Sequence, residues 1–223
     1  MTTRPRNDAA VPRVLRHAVY AATMLLAPVL LLPGTLFNPA VGGIGAGAAN
    51  IAANATADPT TNQLHIAIYV VETFVLPFSV LGLASLALPR SPWLATVGAA
   101  FGLVGWLPWS ALAAQDDLTF QMARLGGGPG FVELWNRFTT DPAMGSLTLI
   151  YVVCHLVAYI VLGIALGRAG AIPAWAAWSL ALTSPITVLA FPTHIHALLY
   201  VVIGLWFAGS LPAARAVWRN RLE

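Results

Sequence analysis

Lysine is absent from this 223-residue chain, and all eleven basic residues are arginine. Charge of either sign is scarce: 9% of residues carry one, against the ~25% of an ordinary soluble domain. No basic run is interleaved with aromatics, so a nucleic-acid groove is excluded as the reason for a pI near 9.5. A single cysteine, Cys154, lies inside an apolar segment, which excludes a disulfide framework and a cysteine metal knuckle. What fills the chain instead is hydrocarbon, with 58% hydrophobic residues and a mean hydropathy of +0.77. These values describe an all-α polytopic protein of the cell membrane. The polar, arginine-rich start MTTRPRNDAAVPRVLR shows no small-residue cleavage signature, so the first helix is expected to be retained.

Six apolar stretches are long enough to cross a ~30 Å hydrocarbon layer, at about 14–37, 63–88, 93–114, 146–167, 173–191 and 193–213. They form one transmembrane domain with two long loops, 38–62 and 115–145, on the same side. Nine arginines, Arg4, Arg6, Arg13, Arg16, Arg90, Arg168, Arg215, Arg219 and Arg221, fall on one side, and only Arg124 and Arg137 on the other. By the positive-inside rule both termini are cytoplasmic and both long loops face outward. The first loop contains GIGAGA at 43–48; with no preceding strand it reads as a small-residue loop, not a dinucleotide fingerprint. In the second, FVELWNRF after the GGGPG break puts Phe131, Leu134, Trp135 and Phe138 on one side of a short interfacial helix. Kinks are expected at Pro28, Pro33, Pro108 and Pro185.

The second span poses the functional question, because it carries an acid, Glu72. An acid at that depth costs roughly 2.5–3.5 kcal/mol on insertion scales, so it normally faces a partner, a cavity or a pathway. At helical spacing His65, Tyr69, Glu72, Leu76 and Ser79 share one face, and the opposite face is apolar. On the third span Gly102, Trp106, Trp109, Ala113 and Asp116 share a face; on the fourth, Thr148, Tyr151, His155 and Tyr159; on the sixth, Thr193, His196, Tyr200 and Gly204. Glu72 and His155 each lie nine positions inside the outer end of their span, roughly 13 Å deep by helix rise. The polar groups therefore describe a bowl that opens outward, floored by Glu72 and His155. Nothing comparable crosses the inner half, as a channel or proton relay would require.

Such a bowl suits a lipophilic small molecule arriving from the membrane lipid. Apolar surroundings favour a neutral, proton-holding Glu72, and the Trp and Tyr faces could take a cation. The plainer alternative is interface aromatics and helix-packing hydrogen bonds. His65, His194, His196 and Asp116 have the ligand types for zinc, yet a His-x-His pair at a helix start diverges by about 200°. His155 lacks a second mid-depth histidine for haem. No metal and no cofactor are expected.

An inward acid in the second span, the Asp116-Asp117 pair at an outer helix end and an aromatic-lined pocket together resemble the integral-membrane terpene cyclases. These include the bacterial indole-sesquiterpene and fungal meroterpenoid enzymes. The resemblance is architectural and covers most of the chain. It implies that Glu72 protonates a prenylated substrate, that Asp116 or Asp117 is a second acid, and that Tyr69, Trp106 and Trp109 stabilise a carbocation. His155 completes the catalytic set, and His65, Tyr151, His196 and Tyr200 join the substrate-binding set on the residue pattern. The chain departs from the family in having six spans where the fungal relatives have seven. Asp116-Asp117-Leu118-Thr119-Phe120 also lacks the distal acid of DDxxD, and no DxDD occurs. A binding or transport protein for a lipophile and a non-catalytic accessory subunit are the other classes left open.

Overall fold

The computed structural model describes residues 10–40, 47–193 and 195–220. Among them run nine helices: α1 Ala10–Phe37, α2 Gly47–Thr56, α3 Pro59–Ala87, α4 Pro92–Trp106, α5 Trp109–Arg124, α6 Pro129–Thr140, α7 Pro142–Ala169, α8 Ala174–Thr193 and α9 Ala197–Asn220. Six stretches, with α4 and α5 counted as one, are long and apolar enough to cross a membrane. Gly43 to Ala46 of the GIGAGA run, His194, and Arg4, Arg6 and Arg221 lie outside the described residues.

The six spans close into a ring, α1–α3–α4–α7–α8–α9 and back to α1, each packed on its two neighbours. A helix that buries its polar face in such a ring must turn an apolar face to lipid. In α3, His65, Tyr69, Glu72, Leu76 and Ser79 are all buried, while Val70, Val71, Phe74 and Phe78 are exposed. Glycines set the closest approaches. A Cβ on Gly105 of α4 would fall on the backbone nitrogen of His155 in α7, and within 2.9 Å of the His155 Cα and the Cys154 carbonyl carbon. Small residues at such crossings let backbones approach where side chains cannot.

The two expected loops are largely helical. Pro92–Arg124 is 33 residues long, about 50 Å of helix, and outruns a ~30 Å hydrocarbon layer. Pro108 cannot donate a backbone bond, so the chain breaks between Trp106 and Trp109, and α5 then continues past the expected exit near Ala114. Residues 38–62, expected as loop, contain α2. Helix α3 begins early because Asp58 caps it, accepting from the Thr61 N–H at 2.7 Å. That bond holds the Asp58 carboxyl below its ordinary value. The far half of α5, α2 and the expected short helix α6 pack together around Ile51, Met122, Ala123 and Trp135, capping one end of the ring. Gly126 and Gly127, at φ 96° and 62°, make the left-handed turn from α5 to α6. At Pro28, Pro33 and Pro185 the helices run through without ending.

Arg13, Arg16, Arg90, Arg168, Arg215 and Arg219 stand at the end opposite the cap, and Arg124 and Arg137 at the capped end. Exposed Trp93, Trp175, Trp178 and Trp218 ring the arginine-rich end at the level of a membrane interface. By the arginine asymmetry this end is expected in the cytoplasm. In a Cys154→Ser background, Thr56→Cys and Gly130→Cys are expected to react with an impermeant maleimide on intact cells. Arg168→Cys should react only after permeabilisation, and the reverse pattern would invert the topology.

Candidate functional site

Beneath the cap, the ring encloses a cavity of about 220 Å³. Its wall is built by side chains that the helix faces aim inward: Tyr69 from α3, Trp106 from α4, Trp109 and Asp116 from α5, Tyr151, His155 and Tyr159 from α7, and Trp206 from α9. Hydroxyls of Thr183, Ser184 and Thr187 on α8 line another side, and Thr35, Asn38, Asn50, Asn54 and Gln115 lie toward the cap.

The aromatic rings touch in sequence around this space. Trp106 is the hub: it meets Trp109 at 5.7 Å between centroids, Tyr151 at 5.6 Å, His155 at 5.1 Å, Tyr159 at 6.3 Å and Trp206, stacked, at 5.9 Å. Tyr69 joins through Trp109 at 4.8 Å, and His65 stands edge-on to Tyr69. The Trp109 indole donates to the Tyr69 carbonyl at 3.1 Å, which fixes its plane. The His155 ring stacks on Tyr151 and its Nδ1 donates to the Tyr151 carbonyl. Because a carbonyl only accepts, Nδ1 carries the proton and Nε2 of the neutral ring is an acceptor. The buried Trp106 indole N–H and Tyr159 hydroxyl are directed at each other, and among the described residues the buried Trp206 indole nitrogen has no hydrogen-bond partner.

Asp116 is the acid of this wall. Its Oδ2 accepts from the Asn38 side chain at 3.4 Å and lies 3.7 Å from Nε2 of the buried His65, too long for a hydrogen bond. The Asn38 and Thr35 side chains also reach the Tyr69 hydroxyl.

The sequence-derived set divides on these positions. Tyr69, Trp106, Trp109, Asp116, Tyr151 and His155 come together around the cavity. Glu72 is fully buried but lies off the cavity wall, with neither carboxyl oxygen hydrogen-bonded, so it makes no bond to His155. It sits close enough to Tyr69, Tyr151 and Tyr159 to interact with them electrostatically. The bowl is thus floored by His155 without Glu72. His65 lies behind Asp116, also off the wall. Asp117 is exposed and pairs with Gln121 of its own helix, because neighbouring positions on a helix point about 100° apart.

His196 and Tyr200 are exposed along with Thr193 and Gly204. Thr193 ends α8 and His196 precedes α9; on α9 itself the face of Tyr200 and Gly204 turns outward, and Val202, Ile203 and Trp206 turn in. A tyrosine near a helix end is as much at home in the interface as in a pocket, so its polarity misassigns the face. Trp206, and Trp135 reaching in from α6, were missed for the same reason, whereas Tyr159 was legible at its four-residue step from His155. Asn54 of α2 is buried, accepts from Asn62 at 2.6 Å and faces the cavity. Among the described residues no three His, Cys, Asp or Glu side chains converge as a metal would need.

No protein-family model, curated protein or solved structure matches this chain.

Proposed function

We propose that the cavity is the binding site of a small lipophilic molecule with an electron-poor or cationic centre, held within the membrane beneath the cap. One observation carries this reading: a continuous set of Trp, Tyr and His rings surrounds an apolar cavity whose wall, among the described residues, contains one acid, Asp116. Aromatic faces attract positive charge by ~0.5–2 kcal/mol per contact, more when water is excluded. Apolar surface supplies the bulk of the affinity, and the hydroxyls of α8 orient the ligand.

A second reading, proton-initiated cyclisation of a prenylated substrate, is favoured by the carboxyl and the π faces sharing one wall. Asp116 then has the direct line to the ligand, and Glu72 acts from behind the tyrosines. At about 220 Å³ the cavity is smaller than the ~300–1,000 Å³ usual for drug-sized ligands. A prenylated aromatic molecule would seat its reacting end here and leave the remainder in the mouth.

Purified protein incubated with a panel of prenylated aromatic compounds and lipophilic amines distinguishes the two. Saturable binding that Asp116→Asn weakens about tenfold or more supports the site. An isomeric product at unchanged mass adds the cyclase activity. Binding without conversion confines the protein to a carrier or receptor role, and neither binding nor conversion sinks both readings.

A further inference from the structure

A second concavity lies at the opposite end of the ring, on its lipid-facing side, where α1 meets α9. It is an open groove of about 370 Å³ lined by Ala18, Ala21, Ala22 and Leu25 of α1 and by Ala214, Arg215, Trp218 and Arg219 of α9. The two helices run antiparallel and pack on one another, so the alanines leave an apolar furrow about 10 Å long, judged from the rise between Ala18 and Leu25.

Among the described residues the charges at its rim have no acidic counterpart. Arg215 and Arg219 are exposed and one helical turn apart, a like-charge spacing that disfavours the helix unless an anion stands between them. The described acids, Asp58, Asp116, Asp117, Glu133 and Asp141, are at the capped end, and Glu72 is buried in mid-bundle. Among the described residues no acidic side chain lies at the arginine-rich end to neutralise this pair, and neither arginine forms an ion pair. Trp218, 43% exposed, sits between them in sequence at the depth of the interfacial tryptophans.

We infer that this groove is a specific site for an anionic glycerophospholipid. The phosphate is held by the guanidinium groups of Arg215 and Arg219, whose planar forks match phosphate oxygens. An acyl chain lies in the alanine furrow, and Trp218 flanks the glycerol region. Basic pockets between helices at the cytoplasmic face are where anionic headgroups bind, and a chain-shaped furrow beneath the charges separates such a site from diffuse attraction to the leaflet. The inference is independent of the ligand in the capped cavity.

The test uses the full chain purified in neutral detergent. It is incubated with mixed micelles of dioleoylphosphatidylglycerol and dioleoylphosphatidylcholine, and retained lipid is counted by native mass spectrometry. One phosphatidylglycerol is expected to be retained in preference to phosphatidylcholine. The Arg215→Gln/Arg219→Gln double variant should lose that preference by about thirtyfold, the value for two interfacial arginines. Ala22→Leu, which fills the furrow without changing charge, should lower retention several-fold, and Arg168→Gln at the same end should leave it unchanged. Equal retention of the two lipids overturns the site, as does indifference to either the double variant or Ala22→Leu. So does an effect of Arg168→Gln as large as that of the double variant. Displacement of the lipid by millimolar inorganic phosphate, or its replacement by a second copy of the chain, overturns the phospholipid as occupant.

Discussion

Gly105→Ala is expected to yield markedly less folded protein than Gly145→Ala, although each adds one methyl group to a helix. At Gly145 a Cβ meets nothing within 4 Å, so alanine there is neutral or gains about 0.5–1 kcal/mol of helix propensity. At Gly105 the added carbon falls on the backbone of Cys154 and His155. A side chain can rotate away from such a contact; backbone in a helix cannot. Overpacking typically costs ~1–3 kcal/mol and here stands at the upper end or beyond, a large share of the ~5–15 kcal/mol that holds a typical domain. The relief available is separation of α4 from α7, which carries Trp106 away from Tyr151, His155 and Tyr159. Thermal melts in detergent, with ligand binding on the surviving fraction, measure both consequences. Equal melting temperatures for the two variants would mean that the helices do not cross this closely.

Glu72→Leu is expected to stabilise the protein and to impair its proposed function. The carboxyl is fully buried with both oxygens unpartnered, a state that costs about 1–3 kcal/mol relative to a shape-matched apolar group. Leucine recovers that cost. If the protein uses this acid, it does so by holding a proton or by setting the field at Tyr69, Tyr151 and Tyr159. Glu72→Gln keeps the shape and polarity but cannot transfer a proton. If the chain is a cyclase that uses this proton, Glu72→Gln should lower turnover by about 10²–10⁴-fold at nearly unchanged ligand affinity. If the chain only binds, Glu72→Gln should be silent while Glu72→Leu weakens the ligand. A Glu72→Leu protein that melts lower than the native chain, or binds equally well, removes Glu72 from the functional account.

The membrane helices were legible because burial in a ring imposes a helical period on polarity. The inward faces of α3, α4–α5 and α7 follow from where their few polar and aromatic side chains fall, and they deliver seven of the cavity residues. Of the cap, only the short helix α6 was legible. Apart from Gly47 and Ile51, residues 47–56 are alanine, asparagine and threonine, which give no apolar stripe to read, and the helix stands on Ile51 against α5 and α6. The acids at positions 116 and 117 mark where hydrocarbon ends, but helix continues wherever propensity and a packing partner allow. Face assignment failed on α9, where polar residues near the helix end belong to the interface and an apolar face with one tryptophan lines the site. The position of Glu72 off the wall, not in it, depends on how α3 packs against its neighbours in three dimensions. No one-dimensional spacing carries that information.

The closed ring makes the order of chain connection secondary to its geometry. Helices α1 and α9 are neighbours, and the described chain begins and ends on them at one end of the bundle. The tight turn at Pro89–Ser91, between α3 and α4, lies at that same end. A short polar linker from α9 to α1, with new ends opened at this turn, would cross no membrane and cut none of the six helix pairings. Sequence adjacency and spatial adjacency are interchangeable around such a ring, so the fold admits circular permutation, with cap and cavity carried through unchanged.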